Sequence, residues 1–206
     1  MPVIINPDDK AAVEGAIRLK EHLKDGSTVA VLSMGPPQAE TALREALSMG
    51  CDSAYLVTDR KFGGSDTLAT STILAAAVQS VGFDVIFTGR QAIDGDTAQV
   101  GPEMAEHLGI PHVAYVQELA YQDGNLIVTR QFEDRRHKLQ VRPPCLFTAI
   151  TELNLQRQAH VRDVVAAGKK DVETICFENL KEHLDANRIG LKGSPTSVAS
   201  SYTKEQ

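Results

Sequence analysis

Apolar positions in the first 110 residues switch repeatedly between a helical and a strand-like period. "INPDDKAAVEGAIRLKEHLKDG" sets Ala12, Ala16, Leu19 and Leu23 on one helical stripe. Its start is strongly marked. Asn6 is a good N-cap, Pro7 suits the first helical position, and Asp8 and Asp9 complement the positive end of the helix. Gly26 is expected to stop it. "STVAVLSM" is a nearly continuous apolar run, as a strand covered on both faces needs. "GPPQAETALREALSMG" predicts a turn and a helix ending at Gly50, and "SAYLVTD" a second strand. "GGSDTLATSTILAAAVQSVG" predicts a helix entered at Ser65 or Asp66, "FDVIFTG" a third strand, and the following helix ends near Gly109. Strand and helix in regular alternation imply right-handed crossovers and a parallel sheet with helices on both faces, an α/β fold.

The pattern then changes. "HVAYVQELAYQDGNLIVTRQF" alternates at period two around the turn signal "QDGN", and "HKLQVRPPCLFTAI" adds one or two strands. Antiparallel strands are expected to extend the sheet over residues 112–150. From Thr151 no compact core pattern remains: there is a short helix over 162–167, a polar stretch and a Gly/Ser/Pro-rich end. The division is therefore an α/β domain over 1–150 and an arm over 151–206 that lies on a partner. Alternating α/β domains usually open on a strand, whereas this chain opens on a helix cap, so an N-terminal strand is expected to be missing.

Composition narrows the function. The chain has 206 residues and a net charge of −6, which gives no basic footprint for nucleic acid. Three scattered cysteines, Cys51, Cys145 and Cys176, form no CxxC pair and point to a reducing compartment. No apolar run approaches the roughly 18 residues of a membrane span. The start lacks the basic and apolar regions of a signal peptide, so the cytoplasm is the expected location. The histidines sit at no metal-ligand spacing, and there is no G-x-S-x-G elbow, P-loop or G-x-G-x-x-G. Nothing suggests hydrolysis.

One loop carries the chemistry, "GRQAIDGDTAQVGP" from Gly89 to Pro102, between the third strand and the next helix. Ligands of open α/β sheets sit beyond the carboxyl ends of the strands. Backbone N–H groups of a Gly-containing loop at a helix N-terminus bind phosphate well. Gly89, Gly95 and Gly101 allow close approach and positive φ. Thr97 and Gln99 can donate to phosphate or ribose oxygens, and Arg90 can neutralise a pyrophosphate. Asp94 and Asp96 suit ribose hydroxyls or an adenine amino group. The plainer alternative is that Asp96 or Thr97 caps the helix and the rest is turn. "NPDD" and "SMGPPQ", with Met34, also fall at a helix start or strand end. "EDRRHK" is a charged hairpin end, and "GKK" follows the short apolar helix of the arm, a pairing suited to an acidic partner.

The stretch "GRQAIDGDTAQVGPEMAEHLGIPHVAYV" closely resembles the signature of the electron-transfer flavoprotein beta subunits. "INPDDKAAVEGAIRLKE", "VLSMGPPQAETALREALSMG", "DTLATSTILAAA", "LN" with Arg157, and "GLKGSPT" resemble the same family in the same order. The resemblance implies a Rossmann-like or flavodoxin-like sheet related to the adenine nucleotide alpha hydrolase fold. It implies an FAD-carrying alpha subunit as partner in a heterodimer, and an adenine nucleotide in this subunit. That nucleotide is FAD in bifurcating members, with NADH as hydride donor, and AMP in simple carriers. The Gly-rich "DGDTAQVGP" favours FAD, with AMP the alternative. Carried over by motif, the nucleotide contacts are Asn6, Pro7, Asp8, Asp9, Met34, Thr88, Gly89, Arg90, Gln91, Ala92, Asp94, Gly95, Asp96, Thr97, Ala98, Gln99, Val100 and Gly101. Val161, with Val164, falls where the family places an apolar anchor for an acyl-CoA dehydrogenase, and Lys169 and Lys170 fall in its basic cluster. The loop departs from the family in carrying Leu155, Gln156 and Gln158. The competing class is a stand-alone nucleotide-binding regulator of the stress-protein type, but its G-x2-G-x9-G-S/T motif is absent.

Overall fold

A computed structural model of the chain describes residues 4–93 and 95–198. Helix α1 (Pro7–Leu23) leads into β1 (Ala30–Met34), α2 (Glu40–Met49), β2 (Ser53–Val57), α3 (Thr67–Val81), β3 (Val85–Gly89) and α4 (Val100–Leu108). Asn6 and Asp66 are the N-caps of α1 and α3, with side chains accepting from Asp8 N–H and Ala69 N–H. Helix α1 ends at Lys24 in a left-handed cap, two residues before the expected Gly26. Strands β4 (His112–Gln122), β5 (Asn125–Gln131), β6 (Arg136–Val141) and β7 (Cys145–Ala149) follow. The arm holds α5 (Val161–Ala167), β8 (Glu173–Ile175), α6 (Phe177–Leu180) and α7 (Gly190–Gly193).

The strands form two ladders, not the single sheet expected from the alternation. One has the order β1-β2-β8 and is parallel; the other has the order β3-β7-β4-β5-β6. The expectation of antiparallel strands throughout 112–150 holds for β4, β5 and β6 and is corrected for β7. Strand β7 inserts between β3 and β4 and runs parallel to both. It is buried along its whole length, and central burial on both faces is what a parallel strand requires.

Side-chain alternation sorts the second ladder into two faces. Val85 and Phe87 of β3, with Cys145, Phe147 and Ala149 of β7, pack with Ala11 and Ala12 of α1. Ile86 and Leu146 point to the other face, against Met104 and Ala105 of α4. The same parity puts Thr88 and Thr148, paired in register, on the α4 face. There Gly101 opens the helix: a Cβ on it would lie 2.8 Å from Thr148 Cγ2 and 2.9 Å from Thr88 Oγ1.

The arm has more core than its sequence pattern suggested. Strand β8 pairs with β2, and Ile175, Leu180, Leu184 and Ile189 are buried with Val57, Phe62 and Ile73. "GLKGSPT" docks on the start of α3, where Thr196 donates twice to Asp66 Oδ2.

Candidate functional site

The carboxyl end of β3 and the amino end of α1 meet, bringing together two of the segments singled out in the sequence. Asn6, besides capping α1, donates through Nδ2 to the carbonyl of Gln91. Asp9 accepts the N–H of Gly89. Asp8 is buried and lies 3.4 Å from Arg90 Nε, an ion-pair distance without hydrogen-bond geometry. Pro7 opens the helix and is exposed, and its carbonyl faces Gln156 Nε2 at 3.5 Å.

Burial pushes the Asp9 carboxyl above its ordinary value; the Gly89 N–H pulls it down and the neighbouring Asp8 charge raises it further. Of the two carboxylates, it is Asp8 that stands at ion-pair distance from Arg90.

The loop beyond is open to solvent. Ala92, Gly95, Asp96, Thr97 and Gln99 are exposed, while Ala98 and Val100 are half-buried. Asp94 lies outside the described residues. Gln91 Nε2 donates to Asp96 Oδ1 at 2.8 Å, and Asp96 N–H to the Ala92 carbonyl at 3.2 Å. Gly89 and Gly101 serve close approach, as expected, but not positive φ, and Gly95 is open. Asp96 and Ala98 take positive φ, at 48° and 54°, whereas Gly89, Gly95 and Gly101 do not. A Cβ on Gly89 would sit 2.6 Å from Asp9 Oδ1.

Neither Asp96 nor Thr97 caps α4. Its N-cap is Gln99, which makes no side-chain cap bond, and among the described residues no side chain accepts from the first N–H groups. Beside that helix start, the buried Thr88 Oγ1 and Glu103 Oε2 have no hydrogen-bond partner among the described residues. Buried polar atoms are rarely left unpaired without reason.

Thr67, at the first turn of α3, was not singled out in the sequence. It donates to Gln99 Oε1 at 3.0 Å and ties α3 to the loop. Its place directly after the Asp66 cap was the available signal. Thr148 was also missed; its hydroxyl accepts from Tyr115 N–H at 3.2 Å, where the β4 backbone takes φ 60°. Met34 lies on the other ladder, packed on the cluster around Val57 and Phe62.

The second group of predicted residues is on the arm. Val161 and Val164 are exposed on α5, as is Lys169. Lys170 is engaged internally: its ammonium donates to the carbonyl of Cys51 at 2.8 Å. Below α5, a cleft of about 680 Å³ runs between α1, α2 and residues 157–170. At its base Glu14, 1% exposed, accepts from Arg18 Nε at 2.6 Å and Arg157 Nε at 2.8 Å. Burial alone would raise the Glu14 carboxyl, and the Arg157 and Arg18 bonds more than offset it, leaving it below its ordinary value. Hydrogen bonds to Glu21 and Glu14 raise Arg157 further.

Burial pushes the thiols of Cys51 and Cys145 up to about 12 and about 11, so neither is a thiolate nucleophile near neutrality. Among the described residues no group of three His, Cys, Asp or Glu is placed to hold a metal, and no helix is long and apolar enough to cross a membrane.

Comparison with known proteins agrees with the motifs. Residues 2–178 match the electron transfer flavoprotein domain. The chain is 51% identical to the electron transfer flavoprotein subunit beta of Clostridium acetobutylicum, over 100% of this chain and 78% of that protein. It is likewise 51% identical to the subunit beta of Thermoanaerobacterium thermosaccharolyticum, over 98% of this chain and 77% of that protein. A caffeyl-CoA reductase-Etf complex subunit, CarD of Acetobacterium woodii, is 44% identical over 98% of this chain and 77% of its own length. The chain belongs to the electron transfer flavoprotein family and is similar along its whole length to the family's beta subunits.

Proposed function

We propose that this chain is an electron-carrier subunit that holds an adenine nucleotide at the α1–β3–α4 junction and works in a heterodimer with a flavin-binding alpha subunit. The observation that carries the reading is the start of α4. Its N-cap residue makes no side-chain bond, it is pressed onto the sheet through Gly101, and the hydroxyl of Thr88, without a partner among the described residues, lies beside it. A helix N-terminus of this kind suits phosphate. Asp94 and Asp96 suit ribose hydroxyls or an adenine amino group, which keeps their charge off the phosphate. Arg90, shared with Asp8, offsets the remaining negative charge.

FAD is the favoured ligand and AMP the alternative, since a diphosphate needs more backbone donors and closer approach than a monophosphate. When bound, FAD would supply two-electron chemistry with NADH and pass electrons onward in single steps, as in bifurcating members of the family. The chain's own residues bind and orient it. Similarity to an acryloyl-CoA reductase electron transfer subunit gamma and to CarD supports an acyl-CoA reductase or dehydrogenase as the further partner. We read the fold as Rossmann-like, the arm from 151 as the partner-facing element, and the cytoplasm as the location.

The test is co-expression with the alpha subunit, acid release, and a count of nucleotides per heterodimer. Two FAD support the favoured form, and one FAD with one AMP supports the alternative. One FAD with no second adenine nucleotide contradicts both.

A further inference from the structure

Helix α5 is seven residues long, too short to persist alone in water. Burial of an apolar stripe ordinarily stabilises such a helix. Here the apolar side chains face outward: Val161, Val164 and Val165 are 81%, 53% and 56% exposed. Ala167 is its buried side chain, seated among Leu43, Ala46 and Leu47.

The remaining hold on α5 is polar and directed at backbone. Arg44 of α2 donates through Nη1 to the carbonyls of Ala167 at 3.1 Å, Gly168 at 3.4 Å and Lys170 at 3.2 Å. These groups belong to the end and exit of α5, where carbonyls have no helical partner. Glu40 aligns the guanidinium, 2.6 Å from Nη2. Lys170 pins the chain after the helix to the Cys51 carbonyl. Before the helix, Arg18 bonds the Leu155 carbonyl at 3.2 Å, and Arg157 anchors to Glu14 and Glu21.

The geometry points to Arg44 as a positioning residue that keeps α5 preformed, with Val161, Val164 and Val165 held out for an apolar socket on the electron-exchange partner. This rests on the proposed reading that α5 docks an acyl-CoA dehydrogenase. Arg162 is exposed but paired with Asp163 at 3.2 Å, and Lys169 is exposed just beyond the end of α5, so the matching socket is apolar with an acidic edge facing Lys169. A clamp on carbonyls leaves every outward apolar side chain free, and it meets the ordering cost before encounter rather than during it.

The test uses the full heterodimer and an acyl-CoA dehydrogenase as varied substrate, with amide hydrogen exchange over residues 164–170. Val161→Asp is expected to raise KM for the dehydrogenase. Arg44→Ala is expected to raise KM about tenfold if the docking-ready population falls to about one tenth. The rate at saturating dehydrogenase stays unchanged, and exchange at 164–170 quickens. Arg44→Lys restores part of the affinity. An unchanged KM for Val161→Asp removes the docking reading. A raised KM for Val161→Asp with unchanged KM and exchange for Arg44→Ala overturns the role given to Arg44. If Arg44→Ala lowers Tm, Glu40→Gln, which loosens the guanidinium without removing it, decides in the same way.

Discussion

Asp9 and Glu14 stand little more than one turn apart on α1, and their surroundings have opposite signs. Glu14 is matched by two guanidinium groups and sits below its ordinary pKa. Asp9 is met by one backbone N–H and crowded by Asp8, and it sits above its own. The first cluster balances its charge within the chain and ties Arg157 to α1. Among the described residues the second leaves charge and hydrogen-bonding capacity unmatched, next to a helix whose N-cap makes no side-chain bond and a hydroxyl without a partner. Closed balance suits a structural joint; open balance is what the proposed nucleotide site requires.

Breaking the closed cluster has the largest expected effect. Glu14→Gln strips a buried carboxylate from two arginines and should destabilise the chain by about 3 kcal/mol, read by chemical denaturation at pH 7. Because the folded pKa of Glu14 is depressed, its stabilisation is fully present above the ordinary 4.5 and is lost as pH falls through the folded value. The variant and the parent should therefore converge in acid.

In the open cluster the signs reverse. Thr88→Val removes a buried hydroxyl that lacks a partner among the described residues and keeps the shape. It should stabilise the nucleotide-free chain by about 1 kcal/mol while weakening nucleotide binding, checked by melting with and without added nucleotide. A purely structural threonine would not separate the two effects.

Asp9→Asn is the mildest change, expected to stabilise by roughly 0.5 kcal/mol near neutrality. The folded pKa of Asp9 is raised, so its relative stabilisation is present below 3.8 and is lost as pH rises through the folded value. The advantage of asparagine should appear only on the high-pH side, opposite to the behaviour of Glu14→Gln.

These two clusters were not equally legible in the sequence. The Asn6 cap, the Asp66 cap and the alternation of strands and helices are local signals, and they placed the elements well. The loop from Gly89 stood out because it carried more polar residues than a connector needs. Glu14 gave no such signal. Its pairing with Arg18 is local, but Arg157 lies 143 positions away, and only the folded chain brings it near. The position of β7 was hidden for the same reason, since strand neighbours are chosen by long-range burial rather than by local period. For the glycines, close approach was legible but the neighbour was not. Gly89 and Gly101 are needed because Asp9, Thr88 and Thr148 press against them, and sequence alone does not show what a glycine faces. The buried residues of the tail, from Ile175 to Ile189, are too irregularly spaced to show a helical or strand period.

The most direct test of the open cluster is amide hydrogen exchange on the heterodimer stripped of its nucleotides and then supplied with FAD or AMP. Slowed exchange over residues 6–9 and 88–103, strongest at the start of α4, is the predicted result. Unchanged exchange in both segments, with protection of this chain elsewhere, would contradict it.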